Sequence, residues 1–434
     1  MEAIKKQPFQ SGRINTHVLS TSTYKTNTIV LQMAAPLNES KAAERSVLAN
    51  VLKTATEYHP TRRALQKALE ELYGMVLSAD VYKKGENHIV SLRAEVANEK
   101  YLRDQTPLTE TALKVMAEVL LAPKLTGNAF DERIVSDEKR ALKQKLASIY
   151  DDKMRYANKR LIEEMCRNEP FASHVYGNEE AIDAIGPTSL YSFYESMLEN
   201  DQVDLYIMGD VDKEDCLSWV NTYFTDSRLL RYNRSEEPGN SVSGQTGETK
   251  EITEEQDVQQ GKLHIGYRTG IVYGEDDYFP LQVFNGLFGG FPHSKLFMNV
   301  REKASLAYYA ASRLETHKGL MIVMAGIASD DEKEAKSIIF AQMDAMKSGD
   351  FTEEDIAQTK AVLKNQVLEM ADSPRGRIEL EYYNALSKVE LSLEEWLAQI
   401  DQVTAEDIRR VGEKVRLDTI YFLRGMEGEQ HEND

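Results

Sequence analysis

An arginine and a tyrosine stand at a corner of the chain where they could contact a peptide. The segment 289–309 reads GGFPHSKLFMNVREKASLAYY, in which a glycine turn precedes a run with helical spacing. The run SLAYYAASRLE that follows alternates in the way that is typical of a strand. Arg301 closes the helix and Tyr308 opens the strand, seven residues later. Because a guanidinium and a phenol are both hydrogen-bond donors, the pair could hold a peptide backbone or a carbonyl oxygen.

Ordinary structural roles would also account for both residues. A cation at the C-terminal end of a helix is favoured by the helix dipole, and a tyrosine in a strand is often half-buried. The glycine pair within 288–291, FGGF, could contact a substrate or form a plain turn. Position alone therefore leaves both interpretations open.

Composition limits the classes of protein to which the chain could belong. A length of 434 residues predicts two or more domains. The formal net charge of −19 argues against binding to nucleic acid or to anionic membranes. No apolar run approaches the roughly 20 residues of a membrane helix, and MEAIKKQPFQ lacks the apolar core of a signal peptide, so we expect a cytoplasmic protein. Cys166 and Cys216 fit neither a zinc ribbon nor a disulfide framework and are expected to be packing thiols.

The order of predicted elements occurs twice along the chain. The strand TNTIVLQMA, a pair of helices, the hairpin MVLSADVYKK/HIVSLRAEVA, further helices and the strand VDLYIMGDV make up the first copy, 1–226. A segment rich in Gly, Ser and Thr, 227–250, is typical of a linker. The second copy, 251–434, begins with LHIGYRTG and closes with DTIYFLRGM. We therefore predict an α+β fold of two tandem homologous domains, each a mainly antiparallel sheet backed by long helices.

Several segments, taken in this order, resemble the insulinase/pitrilysin family of inverzincin metallopeptidases, which includes mitochondrial processing peptidase. They are SKLFMNVREKASLAYY, the helix end Leu72-Tyr73-Gly74 before a hairpin, HVYG at 174–177 and the strand end Gly209-Asp210. The resemblance covers essentially the whole chain and implies the LuxS/mitochondrial-processing-peptidase type of fold. Within the family the chain is most similar to a catalytically degenerate bacterial subunit.

The same resemblance implies that the zinc site is missing. Active members carry H-x-x-E-H, in which two histidines on one helix face bind zinc and the glutamate activates water. Aligned on the helix before Pro60, that motif falls on 46–50, so that Ser46, Ala49 and Asn50 replace its three functional residues. The third ligand position, seven residues after Glu138, is Lys145. No two of the eight histidines are three to five residues apart, so neither zinc nor another cofactor is expected.

Arg301 and Tyr308 do match the family. In active members such a pair belongs to the C-terminal copy and faces the zinc across a chamber, where it holds the substrate backbone and steadies the oxyanion. Fixed donors aimed at developing negative charge suit that role. The resemblance therefore implies that both residues bind substrate, whereas no residue of this chain is expected to be catalytic or to bind metal.

Three functions follow from these expectations. The first is a non-catalytic subunit that pairs with a homologous chain carrying H-x-x-E-H and binds peptide substrates with it in a clam-like chamber. The second is a peptide-binding or scaffold protein of the same fold, in which Arg301 and Tyr308 are structural remnants. The third is a self-sufficient peptidase with unconventional metal ligands. On its own the chain is not expected to be an active enzyme.

Overall fold

The computed structural model describes residues 4–103, 106–230 and 247–425. These residues form two compact units that interleave along the chain. The first comprises the described residues of Met1–Ala147, Ser173–Pro238 and Ala371–Tyr382, and the second those of Ser148–Ala172, Gly239–Met370 and Tyr383–Asp434. The homologous-domain boundaries at 226 and 251 stay a prediction. Of the predicted linker 227–250, residues 231–246 lie outside the described residues, and its first four residues, Ser227–Leu230, form a short helical turn.

The first unit is built on a six-stranded sheet whose strands lie in the order β1-β2-β6-β3-β5-β4. Neighbouring strands are antiparallel except β2 and β6, which are parallel. The central strand β3 has the apolar sequence TNTIVLQMAAP, and 8 of its 11 residues are buried. The strands are β1 (Lys5–Ser11), β2 (Ile14–Ser20), β3 (Thr26–Pro36), β4 (Val76–Lys84), β5 (Asn87–Ala97) and β6 (Gln202–Gly209).

Helices cover one face of this sheet and bury its main apolar core. Ile29, Leu31 and Met33 of β3 pack in one cluster with Val47 and Leu48 of the first helix. Such burial of apolar surface is the main source of folding free energy. The helices in the N-terminal half of the chain are α1 (Glu39–Leu52), α2 (Arg62–Glu71), α3 (Leu108–Leu121), α4 (Glu132–Asp151), α5 (Lys153–Met165), α6 (Glu179–Ala184), α7 (Pro187–Asn200), α8 (Lys213–Tyr223) and α9 (Ser227–Leu230).

The second unit has a five-stranded sheet in the order β7-β11-β8-β10-β9, in which β7 and β11 are parallel and the other neighbours antiparallel. Its strands are β7 (Lys250–Gln256), β8 (Gly261–Arg268), β9 (Ala307–Glu315), β10 (Leu320–Ile327) and β11 (Arg416–Gly425). Its half of the chain contains the helices α10 (Tyr278–Asn285), α11 (Glu332–Ser348), α12 (Glu353–Ala371), α13 (Pro374–Ser387), α14 (Leu393–Gln402) and α15 (Ala405–Lys414). Two π-helical turns, Gly286–Gly290 and Phe297–Lys303, lie between α10 and β9. The predicted α+β class is thus confirmed.

Helix α5 packs against the sheet of the second unit, although it precedes that sheet by about a hundred residues in sequence. Leu161 and Met165 share a buried cluster with Ile322 and Leu423 of the sheet. The packing is close, because a Cβ added to Gly266 would lie 2.6 Å from the sulfur of Met165. Among the described residues, no helix is long and apolar enough to cross a membrane.

A buried ionic cluster fixes the chain just after α5 to the same sheet. The carboxylate of Glu169 lies 2.7 Å from the Arg268 guanidinium and 2.6 Å from the Lys318 ammonium. Arg268 also pairs with Asp418 at 2.6 Å and donates a hydrogen bond to the Met165 carbonyl at 2.8 Å. Lys318 is only 1% exposed, so its charge needs stabilisation from such partners.

Candidate functional site

Arg301 lies in the π-helical turn Phe297–Lys303, where the sequence predicts an α-helix. This wider turn begins after Leu296, and its fully buried residue Val300 packs into the interior. The Arg301 side chain is 42% exposed, lies over the Phe297 ring at 4.6 Å and approaches Glu302 at 3.6 Å. Irregular helical turns of this kind are frequent at functional sites. The turn thus presents the guanidinium at the surface of the second unit.

Tyr308 is presented by a β-bulge at the start of β9. Tyr309 pairs with Gly326 and Ala307 with Ile327, so Tyr308 is an extra residue that lies opposite none of the β10 residues. A bulge redirects the side chain of the extra residue. The side chain of Tyr308 is 80% exposed, an unusual position for a large aromatic group.

Close packing behind the corner explains the glycines of FGGF. A Cβ on Gly289 would lie 2.5 Å from the Ser312 hydroxyl and 2.7 Å from a methyl group of Leu296. The Ser312 hydroxyl in turn donates a hydrogen bond to the Asn285 side chain at 2.7 Å. Phe288 is fully buried beside them. A glycine at 289 therefore allows the chain to pack closely against strand β9.

Arg301 and Tyr308 flank the connection 302–307, Arg301 on the turn Phe297–Lys303 and Tyr308 on strand β9. In the part of the chain that the structure describes, neither side chain has a hydrogen-bond partner. Their donors are therefore available to an external acceptor such as a peptide carbonyl or an oxyanion. Both side chains are hydrogen-bond donors, so the pair is suited to binding and polarising a substrate.

The α1 positions at which the sequence alignment predicts the zinc motif are occupied by packing residues. Ser46 is 1% exposed and its hydroxyl donates a hydrogen bond to the Val175 carbonyl at 3.0 Å. Ala49 is buried and has no side-chain donor atom. The amide of Asn50 donates back to the Ser46 carbonyl at 3.2 Å, one turn earlier. None of the three provides the imidazole, thiolate or carboxylate that zinc requires.

Lys145 on α4 stands at the predicted position of the third zinc ligand. It contacts the same loop as Ser46. Its ammonium lies 4.4 Å from the centre of the Tyr176 ring, a cation–π geometry. The loop packs tightly on α1, because a Cβ on Gly177 would lie 2.9 Å from the backbone of Ala43. The structure thus brings Ser46 and Lys145 to one place but fills it with the loop 174–177.

The electrostatics there also oppose a metal cation. Glu138 is buried and engaged, since it accepts a hydrogen bond from the Thr54 hydroxyl at 3.1 Å and pairs with Arg62. Burial lowers the pKa of the nearby Lys53. The charges of Asp80 and Glu138 oppose this effect, whereas those of Lys145 and Arg62 lower the pKa further. Over the described residues, no group of three His, Cys, Asp or Glu side chains is placed to hold a metal ion. These residues do not fit zinc.

Sequence reasoning missed two residues that line a cavity on the opposite face of the first sheet, Gln32 and Arg93. A signal was available for the first of them. Gln32 interrupts the apolar strand β3, where a polar side chain requires a partner or a use. The sequence alone gives no comparable signal for Arg93. It alternates with apolar residues along β5, a pattern that is expected on any solvent-exposed face of a sheet.

Comparison with known proteins identifies relatives over the whole chain. Residues 184–363 match the family model described as the peptidase M16 inactive domain. The chain is 49% identical to the "Probable inactive metalloprotease YmfF" of Bacillus subtilis (strain 168) over 99% of this chain and 100% of that protein. It is 25% identical to the "Antilisterial bacteriocin subtilosin biosynthesis protein AlbE" of the same organism, over 73% of this chain and 77% of that one.

A solved structure agrees with the sequence relatives. A conserved protein from Enterococcus faecalis V583 superposes with a TM-score of 0.89 at 34% identity, covering 97% of this chain and 99% of that chain. The predicted resemblance is therefore confirmed. The chain belongs to the peptidase M16 (insulinase/pitrilysin) family and is an inactive metalloprotease homologue within it.

Proposed function

We propose that this chain is the non-catalytic subunit of a heterodimeric zinc metallopeptidase. In this proposal a homologous partner subunit carries H-x-x-E-H, and this chain contributes Arg301 and Tyr308 to the binding of a peptide substrate. The observation that carries the proposal is the exposure of both side chains, 42% for the Arg301 side chain and 80% for Tyr308, on a corner with an irregular turn and a bulge.

The contrast with the zinc-motif positions supports the proposal. Ser46 and Ala49 are buried within the first unit, where their side chains contribute to packing. Tyr308, by comparison, contributes little to the packing of its own chain. A bulged, exposed aromatic residue on the strand that follows an exposed arginine is more readily explained by contact with another molecule than by the stability of the fold.

The chemical roles follow from the two side chains. Arg301 would bind a carbonyl group of the substrate backbone, and the phenol of Tyr308 would donate a hydrogen bond to the oxygen that becomes negative as the peptide bond is attacked. Both donors act without changing their own covalent state. The partner subunit would supply the metal and the base.

The substrate class and location are parts of the same proposal. The relative AlbE is described as a bacteriocin biosynthesis protein, which agrees with a role in peptide processing. Cys166 and Cys216 are both buried thiols that form no disulfide, as is usual for proteins of the reducing cytoplasm, which is the proposed location.

The test is a peptidase assay of the purified chain, alone and with a co-purified M16 relative that contains H-x-x-E-H. We expect no cleavage of a fluorogenic peptide by this chain alone and cleavage by the complex. Arg301→Ala and Tyr308→Phe should each lower kcat by about 100- to 1,000-fold, the usual effect of removing one oxyanion donor, while the complex still elutes as a heterodimer.

Matched controls are available within the same unit. Arg313→Ala, the control for Arg301→Ala, removes a 44% exposed arginine of β9, the strand that also contains Tyr308. Tyr150→Phe, the control for Tyr308→Phe, removes the hydroxyl of a 51% exposed tyrosine. Both controls should keep full activity. Complex activity that is unchanged by the Arg301 and Tyr308 substitutions would refute the role of the pair.

One observation favours the alternative, a peptide-binding or scaffold protein without a role in hydrolysis. Strands β4 and β9 are the last strands of their sheets among the described residues, so each has an unpaired backbone edge. An extended peptide can add to such an edge as a further strand. Peptide binding by the isolated chain, together with failure to recover any H-x-x-E-H partner in pull-down experiments, would favour this alternative.

A further inference from the structure

A polar cavity of about 370 Å³ lies in the first unit, on the sheet face opposite its apolar core. Its floor is made by residues of β3, β4 and β5, and residues from the start of α13 form one wall. A cavity of this size is at the lower end of the range of small-molecule sites.

Strand register places two polar rows across the floor. In the first row Gln32 lies opposite Ser91, which lies opposite Asp80. In the second row Arg93 lies opposite Ser78, and the Arg93 Nε donates a long hydrogen bond of 3.4 Å to the Ser78 hydroxyl. Because alternate residues of a strand share a face, all five side chains belong to the same surface.

Gln32 is the buried polar group of this floor. It is 2% exposed, and its side-chain oxygen accepts no hydrogen bond from the described residues. A buried polar atom without a partner is unfavourable unless something else satisfies it. Because the side-chain amide can flip by 180°, Gln32 can present either its oxygen or its NH₂ group to a ligand.

The lining is cationic, although the chain as a whole carries a net charge of −19. The cavity is lined by four cationic side chains and two carboxylates. One cation and one carboxylate among them, Lys84 and Glu379, form an ion pair at 2.8 Å, and their charges cancel. Arg93 and the exposed Arg375 add positive charge at the floor and the rim. Arg375 also belongs to the first turn of α13, the end of a helix that favours an anion.

We propose that this cavity binds the C-terminal end of a short peptide. Arg93 and Arg375 bind the terminal carboxylate, and Gln32 hydrogen-bonds the last peptide group. Arginine suits this task because its planar fork matches a carboxylate. The cavity's lining by itself supports an anion site, whereas the choice of a peptide over another carboxylate rests on the proposed function.

The test is calorimetric titration of the purified full-length chain, without a partner, using two probes that differ in one group. N-acetyl-alanyl-alanine carries the free carboxylate, and N-acetyl-alanyl-alaninamide replaces it with an amide. We expect the acid to bind and the amide to bind at least about tenfold more weakly, as the loss of a charge-assisted hydrogen bond predicts.

Variants assign the binding to the cavity. Arg93→Gln and Arg375→Gln should each weaken binding of the acid by about 10- to 100-fold. Gln32→Met, which keeps the size and fills the same space, should leave the melting temperature unchanged or raised and weaken binding severalfold. The control Arg155→Gln, at a 71% exposed arginine of α5, should bind like the parent chain.

Three results would overturn the proposal. They are equal binding of acid and amide, binding of acetate or inorganic phosphate as tightly as the acetylated dipeptide, and no binding of either peptide by the folded chain. Titration of the Arg301→Ala/Tyr308→Phe chain separates this proposal from the proposed function. We expect the cavity to bind as before, so loss of peptidase activity and loss of carboxylate binding are independent outcomes.

Discussion

Substitution of Glu169 by glutamine should loosen the attachment of 148–172 to the sheet of the second unit. Glu169 accepts from Arg268 at 2.7 Å and from Lys318 at 2.6 Å, and its own side chain is 15% exposed. Glutamine keeps the shape but removes the negative charge. Arg268 retains Asp418, whereas the 1% exposed ammonium of Lys318 no longer has this carboxylate beside it.

The size of the effect follows from the interactions that the substitution removes. Two charge-assisted hydrogen bonds are each worth about 1.5–3 kcal/mol, and the glutamine oxygen recovers part of one of them. Removing one partner of a buried ion pair typically costs about 3–5 kcal/mol. We therefore expect Glu169→Gln to lower the free energy of unfolding of the second unit by about 3–5 kcal/mol.

The two tryptophans make the measurement specific to one unit. Trp219 belongs to α8 of the first unit, and the buried Trp396 to α14 of the second. Urea unfolding followed by fluorescence in a Trp219→Phe background therefore reports the second unit. Asp350→Asn, which breaks a pair with Lys295 at a 76% exposed carboxylate, is the matched control and should cost less than about 1 kcal/mol.

A compensating variant sharpens the test. Lys318→Met in the Glu169→Gln background removes the buried ammonium that Glu169 had stabilised, so it should recover part of the stability. The reasoning would be refuted if Glu169→Gln shifted the transition no more than Asp350→Asn does.

The same cluster predicts a pH dependence with a definite sign. Burial alone would raise the pKa of Glu169, but the hydrogen bonds and charges of Arg268 and Lys318 outweigh it and hold the pKa below its ordinary value of 4.5. A depressed folded-state pKa contributes stability above the unfolded-state value, and that stability is lost as the pH falls through the folded-state pKa. The second unit of the parent chain should thus lose stability below about pH 4.5, and Glu169→Gln should reduce this dependence.

Three further predictions concern single sites. Arg301→Ala/Tyr308→Phe should change the free energy of unfolding by no more than about 0.5 kcal/mol, measured by urea titration, because both side chains are exposed. Gly289→Ala should destabilise the second unit by about 1–3 kcal/mol in the same Trp396 assay, since the new methyl group would meet the Ser312 hydroxyl at 2.5 Å. Burial and the nearby acidic charges raise the pKa of Cys216 to about 12, so iodoacetamide at pH 8 should label it only after unfolding, as mass spectrometry would show.

Local features of the fold could be predicted because they depend on neighbouring residues. The apolar run that forms β3 and the alternation of β4 and β5 are recognisable from their periodicity. The turn between β4 and β5 is recognisable at Gly85, which adopts a left-handed φ of 55°. Repetition of this order predicts the α+β class, which the structure and the relatives confirm.

Long-range features could not be predicted from the same patterns. The sequence of α5 predicts a helix but does not say that Leu161 will pack on the sheet of the second unit. The bulge at Tyr308 exists only because of its register with β10, which SLAYYAASRLE does not specify. The irregular turn at Arg301 likewise has helical spacing, which does not distinguish a π-helical turn from an α-helix.

The α1 positions around Ser46 and the corner with Arg301 and Tyr308 differ in how their side chains are used. At the positions that the resemblance aligns with the zinc motif, a hydroxyl, a methyl group and an ammonium pack against the loop 174–177 or the core, so these side chains have structural roles. At the other corner, the bulge exposes an aromatic ring that would gain stability from burial. The bulge and the exposure of both side chains support the proposal that Arg301 and Tyr308 contact a molecule outside this chain, and the partner-dependent peptidase assay tests that proposal directly.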